Sequence, residues 1–212
     1  MTLVIGNKNY SSWSLRPWLL LKQAEIAFEE IRIPLYTAES RARILAYSPS
    51  GKVPVLLDGD VKVWDSLAIA EYLAERFPEK QLWPEDAEAR AQARSISGEM
   101  HSGFSNLRTH MSMNCRRHLP GKGRTSDVER EIGRIIEIWE NCRARSREGP
   151  FLFGAFSIAD AMYAPVVLRF QTYAVRLPPI ASRYAQEILA LPAIQQWLTQ
   201  AKAETEIIAE FE

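Results

Sequence analysis

The chain has 212 residues, of which 47% are hydrophobic and 25% charged, and its 26 Lys+Arg balance 26 Asp+Glu. That length suits one large domain or two small ones, and the composition is that of an ordinary folded soluble protein. Zero net charge gives no electrostatic case for a nucleic-acid partner or an anionic membrane surface. No apolar run approaches the length of a membrane span and no charged-then-apolar leader is visible, so the expectation is a cytoplasmic protein. Cys115 and Cys142 do not make a disulfide framework; a reduced thiol pair is expected.

In chain order, residues 2–5 predict a short buried strand. A turn crowded with hydroxyls follows, Tyr10-Ser11-Ser12-Trp13-Ser14-Leu15-Arg16-Pro17-Trp18. Ser11, Ser12 and Ser14 can each accept from the free amides of a helix start, and Pro17 fits a first helical turn, where its missing N–H costs nothing. The spacing of Leu19, Leu20, Ala24 and Ala27 predicts a helix over 18–27. Alternation predicts a strand over 28–33, followed by a short helix over 39–46 and a turn over 48–51. Residues 52–57 and 61–64 predict a hairpin closed by Asp58-Gly59-Asp60, and 67–76 predicts a helix with Pro78 just beyond it. The order β-α-β-α-β-β-α argues a parallel crossover with an antiparallel edge. It assigns residues 1–78 to an α/β domain, with a polar linker containing Pro84 over 79–86.

From residue 87 the periodicity is helical, and an all-helical domain is expected over 87–212. One long helix is predicted over 87–113, with His101, Phe104, Arg108 and Met111 on one face. That face reads either as core or as the lining of a site. Residues 115–125, with Arg116, Arg117, His118, Lys122 and Arg124, read as a basic solvated loop. A helix over 127–143 carries the apolar stripe Ile132, Ile135, Ile136 and Trp139. Ser157-Ile158-Ala159-Asp160 has the form of a capping box ahead of a helix over 161–173. Residues 185–212 read as one or two helices broken near Leu191-Pro192. His101, His110 and His118 lack metal-ligand spacing, so no metal is expected.

Two pairs in the first third carry chemistry. Val53-Pro54 opens a strand, where proline removes a ladder donor; a cis bond there would turn the Val53 backbone outward toward an extended ligand. Asp65-Ser66 stands where a strand yields to a helix. It reads as a cap, or as a clamp on an amino-acid head group, with carboxylate against Ser66 and the helix amides and ammonium against Asp65.

The β-α-β-α-β-β-α order resembles a thioredoxin-like domain. Together with Ser11-Ser12-Trp13-Ser14-Leu15-Arg16, Lys52-Val53-Pro54-Val55-Leu56 and Asp65-Ser66-Leu67-Ala68-Ile69-Ala70-Glu71-Tyr72-Leu73, it resembles the glutathione S-transferase superfamily. The serine-rich turn is most similar to the zeta class, which includes maleylacetoacetate isomerases. The resemblance spans nearly the whole chain and implies a C-terminal helical bundle, glutathione as co-substrate and a homodimer. It implies that Ser11, or its neighbour Ser12, donates to the glutathione sulfur. Val53 would pair by backbone with the cysteinyl unit beside a cis Pro54, Asp65 and Ser66 would hold the γ-glutamyl end, and Lys52 could reach the glycyl carboxylate. Trp13 stands where the zeta turn has a cysteine. The arginine that zeta enzymes carry in the helix after the capping box aligns with Thr172, with Arg169 nearly one turn earlier. The pocket for the second substrate would draw on Trp13, Arg16, His101, Phe104, Arg108, Met111 and Arg169.

A thiol of pKa about 8.5 is only a few per cent thiolate at neutral pH. Lowering that value by about 1.5 units takes roughly 2 kcal/mol of preferential anion stabilisation. One hydroxyl hydrogen bond to the anion, together with a helix N-terminus, supplies that. The expected function is therefore a glutathione transferase in which a serine hydroxyl holds the thiolate for attack on a small electrophile. Glutathione-dependent cis–trans isomerisation of the maleylacetoacetate type is the alternative, with acidic substrate met by Arg16, Arg108 or Arg169. A non-catalytic glutathione-binding module is a third.

Overall fold

A computed structural model describes residues 1–146 and 148–212. Four strands form the sheet: β1 (Thr2–Ile5), β2 (Glu29–Arg32), β3 (Val55–Asp58) and β4 (Val61–Trp64), in the order β2-β1-β3-β4. β1 runs parallel to β2, with Thr2 opposite Glu29, and antiparallel to β3, with Val4 opposite Val55. β3 pairs antiparallel with β4, Val55 opposite Trp64. Three helices belong to this half: α1 (Ser12–Gln23), α2 (Ser40–Leu45) and α3 (Ser66–Arg76). The expected β-α-β-α-β-β-α order is present, and so is the helical half: α4 (Ala87–Ser102), α5 (Ser105–His110), α6 (Ser126–Arg145), α7 (Ile158–Thr172), α8 (Pro179–Ala190) and α9 (Pro192–Ala203).

The period of two along β1 divides the core. Leu3 and Ile5 face one side with Leu56, and there they join α1, α3 and the helices of the second half in a single buried cluster. Val4 faces the other side and packs with Ile33, Ile44 and Val55, under α2. α7 is buried along almost its whole length and packs against α1, α4 and α8, so it is the axis on which the halves meet. The stripe on α6 is buried as expected at Ile132, Ile135 and Trp139, and the Trp139 ring meets Tyr163, Phe170 and Tyr184 edge-on or tilted. Cys115 and Cys142 are both free thiols. Among the described residues no helix is long and apolar enough to cross a membrane.

Several elements differ from the sequence expectation, among them the tail, whose helix ends at Ala203. α1 starts at Ser12 rather than Trp18, because Ser11 is its N-cap: the Ser11 hydroxyl accepts from the Ser14 amide. Pro17 therefore lies inside the helix rather than at its first turn. The predicted helix over 87–113 is two helices, interrupted at Gly103 and Phe104. A Cβ on Gly103 would lie 2.8 Å from the Glu99 carbonyl oxygen, and Phe104 takes a left-handed φ of +57°. β3 starts at Val55, so Lys52, Val53 and Pro54 form the approach to the strand and not its first residues.

The capping box is present. Asp160, fully buried, accepts from the Ser157 amide at 2.9 Å and the Ser157 hydroxyl at 2.9 Å, and from the Leu152 amide at 3.0 Å. Asp160→Ala strands two buried backbone donors and should cost about 2–4 kcal/mol, read as a lower urea midpoint at unchanged slope.

Candidate active site

The loop from β1 to α1 is the foundation of the site, and it is buried throughout: every residue from Gly6 to Ser12 is shielded from solvent. Its end is the serine turn. Ser14, in the first turn of α1, accepts from the Gly6 amide at 3.1 Å and from the Ser11 hydroxyl at 2.7 Å, tying the loop to the helix it feeds. Ser12 differs from Ser11: its oxygen accepts from the Arg169 guanidinium at 3.2 Å. The Ser11 proton is thus occupied by Ser14, while the Ser12 hydroxyl is polarised by a cation and keeps its own proton to give.

Two adjoining cavities open at this turn. The first, of about 360 Å³, is lined by Ser11, Ser12, Arg108 and Arg169 together with Tyr36, Ile44 and Phe211. The second, of about 430 Å³, is lined by Val53, Pro54, Trp64, Asp65, Ser66 and His101. Trp13, Lys52 and Val53 line both, so Trp13 stands at the boundary between them. The Val53–Pro54 peptide is cis, as the family resemblance implied.

Asp65 holds a φ of +77°, a conformation rare outside glycine, and its carboxylate has two uses. One oxygen accepts from the Leu67 and Ala68 amides, at 2.8 and 3.2 Å, and caps α3. The other lies 3.1 Å from His101 Nε2. Ser66 follows, buried, with its hydroxyl accepting from Arg16 at 3.4 Å.

Cations dominate the inner wall. Arg16 and Arg169 are buried and Arg108 is partly buried. Arg16 and Arg108 lie over the Trp13 ring, their guanidinium carbons 4.3 and 4.8 Å from its centroid, and the His101 ring meets it edge-on at 5.3 Å. The hydrogen-bond partners of all three guanidiniums are carbonyls and hydroxyls: Met162 and Ser66 for Arg16, Met111 and Ser12 for Arg169, and the Met100, His101 and Gly103 carbonyls for Arg108. Burial, and then the mutual repulsion of these charges, pulls Arg169 down to about 10 and Arg16 well below the usual guanidinium range. Arg108 is lowered by burial. His101 is lowered by burial as well, against the opposing pull of Asp65, with Arg16 and Arg108 adding to the fall.

The residues singled out in the sequence fall into three groups. Ser11, Ser12, Trp13, Arg108 and Arg169 converge on the first cavity. Val53, Pro54, Asp65, Ser66 and His101 converge on the second, with Lys52 bordering both. Arg16 lies behind Trp13, and Phe104 and Met111 are core residues lining neither cavity. Arg169, not Thr172, reaches the serine turn; the Thr172 hydroxyl instead donates to backbone carbonyls. Sequence reasoning gave no role to Tyr36 or Phe211, which have no local motif to mark them.

With this geometry in hand, comparisons with known proteins are decisive on class. Residues 10–76 match the family model described as "Glutathione S-transferase, N-terminal domain" and residues 87–200 the one described as "Glutathione S-transferase, C-terminal domain". Glutathione S-transferase Z1 of Arabidopsis thaliana is 30% identical over 168 residues, 72% of this chain and 71% of that one. A probable maleylacetoacetate isomerase of Caenorhabditis elegans is 38% identical over 97 residues, 45% of this chain and 44% of that one. Among solved structures, a glutathione transferase homolog from Burkholderia gl BGR1, with bound glutathione, superposes at a TM-score of 0.73 and 24% identity, covering 96% of this chain and 98% of that one. The fold is that of a glutathione transferase, thioredoxin-like in its first half and helical in its second. The chain belongs to the glutathione S-transferase family, a family of transferase enzymes, and the zeta-like resemblance of its serine turn is matched by relatives of that description.

The Asp65–His101 contact yields a direct test. Asp65 raises the His101 pKa, so Asp65→Asn should lower it further. Imidazole proton shifts followed by NMR across a pH titration should show the midpoint moving to lower pH.

Proposed function

We propose that the protein is a glutathione transferase in which the serine turn holds the sulfur of bound glutathione as a thiolate. The observation that carries this reading is the Ser12 hydroxyl, backed at 3.2 Å by the Arg169 guanidinium and facing the cavity beside Val53. A hydroxyl whose oxygen already accepts from a cation is a stronger donor to an anion. Ser11, its proton given to Ser14, caps α1 and sets the helix N-terminus at the same cavity, where the helix amides favour negative charge. No base is needed. The wall favours the anion over the neutral thiol, and the thiol loses its proton to water.

The tripeptide is expected to lie along the second cavity and reach the serine turn past Val53. Its γ-glutamyl carboxylate would meet Ser66 and its ammonium the Asp65 carboxylate, already oriented by the amides of α3 and by His101. The Val53 backbone would pair with the cysteinyl unit, and Lys52 would approach the glycyl carboxylate. The electrophile would occupy the first cavity, across Trp13, so that the thiolate meets an electron-poor carbon held against Arg108 and Tyr36. Catalysis is then anion stabilisation plus orientation. A second copy of the chain is the expected partner, as in the superfamily.

Ser11→Ala and Ser12→Ala should each raise the pKa of the bound thiol, and the double variant should return it toward the free-thiol value of about 8.5. Thiolate ultraviolet absorbance titrated on the binary complex measures this directly. A bound sulfur that titrates alike in wild type and double variant would end the serine reading.

One observation favours a second reaction on the same thiolate. Arg108 and Arg169 face the first cavity with no carboxylate among their hydrogen-bond partners, which suits a substrate carrying carboxylates. Glutathione-dependent cis–trans isomerisation of an acid such as maleylacetoacetate fits: the thiolate adds to the conjugated double bond, the adduct rotates, and elimination restores the thiolate. Arg169→Met should reduce kcat/KM for maleylacetoacetate by about 10–100-fold, the loss of one charge-assisted contact. The same variant's rate on an uncharged chlorodinitrobenzene should fall less, and that difference separates substrate recognition from thiol activation.

A further inference from the structure

Beyond α9 the chain does not end in a helix, as the sequence suggested. After Ala203 it turns back across the first half as an extended strap with one short 3-10 turn, Ala209–Phe211. The strap's contacts concentrate on two places, the loop that leads to the serines and the wall of the first cavity.

At the loop, the two carboxylate oxygens of Glu204 accept from consecutive amides, Lys8 at 2.7 Å and Asn9 at 3.0 Å. The Glu204 side chain is only 6% exposed. One residue further, the Tyr10 hydroxyl donates to Glu212 at 2.6 Å and accepts from Arg116 at 2.7 Å and from the Ile208 amide at 3.2 Å. Arg116 completes the hold by donating to the carbonyls of Glu204 and Glu206, at 2.6 and 2.7 Å, and Arg32 pairs with the Glu206 carboxylate at 2.8 Å. Lys8, Asn9 and Tyr10 are the three residues before Ser11. A buried loop with no strand or helix of its own has few other means of fixing its backbone.

At the wall, the Phe211 ring packs against Tyr10 at 5.9 Å and stands perpendicular to Tyr36 at 5.4 Å between centroids. Phe211 and Tyr36 line the first cavity together with Ser12 and Arg169. The Asn114 side chain holds the Phe211 carbonyl at 2.9 Å, so the ring is anchored from behind.

We propose that segment 204–212 is a working part of the active site, with Glu204 as the positioning residue for the serine turn and Phe211 as the residue that limits the size of the electrophile. The Glu204 half rests on the thiolate reading above; the Phe211 half rests on the cavity alone. Glu204 touches no reacting atom. It acts by fixing where Ser11 and Ser12 sit relative to a sulfur held independently by Val53, Asp65 and Ser66.

Glu204→Ala should therefore lower kcat about tenfold and raise the pKa of bound glutathione's thiol, a displacement effect on aligned groups. Its KM for glutathione should stay within about twofold, because the contacts that bind the peptide are elsewhere. A merely structural role would lower the urea midpoint and leave the bound thiol's pKa in the folded fraction unchanged, and that result overturns the Glu204 half. Should Glu204→Ala not fold, Glu204→Gln carries the test: one oxygen still accepts while the amide NH2 confronts the second N–H, so the same shifts should appear in smaller measure. Phe211→Ala should raise the ratio of kcat/KM for a two-ring enone, 1,3-diphenylpropenone, over that for 1-chloro-2,4-dinitrobenzene by about tenfold. An unchanged ratio overturns the Phe211 half. Wild-type glutathione that titrates in the complex like the free tripeptide would overturn the serine reading, and the Glu204 half with it, while the Phe211 ratio would still decide its own half.

Discussion

Everything in this structure depends on satisfying the polar groups of one buried loop. Residues 6–12 carry amides, carbonyls, two asparagines and a lysine into a region without solvent, and each uncompensated group there would cost on the order of 1–3 kcal/mol. The first half of the chain answers part of that demand: Asn7 accepts from the Leu35 amide, and Lys8 pairs with Glu30. Most of what remains comes from the helical half, the Asn7 Nδ2 group having no partner among the described residues. The Asn9 carbonyl accepts from the Cys115 amide, its side chain joins Asn114 and the Arg116 amide, and the Lys8 carbonyl accepts from the Trp197 indole. The serine turn can be rigid because the helical domain and the strap past α9 finish what the sheet begins. The same dependence explains why a single apolar cluster runs through both halves.

The second organising fact is a concentration of positive charge that nearby carboxylates offset only in part, Asp65 for Arg16 and Glu131 for Arg108. Arg16, Arg108 and Arg169 repel one another, and each has been partly reassigned to structural duty. Arg108 closes the broken end of α4 by binding its last carbonyls, Arg169 bridges Met111 and Ser12, and Arg16 bridges Met162 and Ser66. Trp13 lies against Arg16 and Arg108, offering its ring to their charge. Mutual repulsion of this kind lets a chain of zero net charge present a positively charged interior.

The sequence disclosed what is local. The strands, the hairpin, the capping box at Ser157 and Asp160 and the cap that Asp65 makes on α3 depend on neighbours a few residues away, and their residue types announce them. α1 begins six residues before the expected Trp18, because Ser11 and Ser14 secure its start and the helix tolerates Pro17 further in. The break after α4 was hidden because Gly103 and Phe104 interrupt an otherwise helical pattern with one unusual φ. Arg116 looked like a solvated charge in a basic loop, yet it clamps residues 88 and 90 positions away. Phe211 had no periodic partners at all. Long-range polar contacts leave no period in a sequence, and these are the contacts that finish the cavity.

The Lys8–Glu204 contact joins residues 196 positions apart, and that span has a bearing on biosynthesis. At translation speeds of about 5–20 residues per second, the nascent loop waits roughly 10–40 s on the ribosome before its acceptor emerges. During that interval the thioredoxin-like half can assemble its sheet, but its most polar stretch remains hydrated and unfinished. The loop's hydrogen bonds are therefore completed only after the helical half has been made.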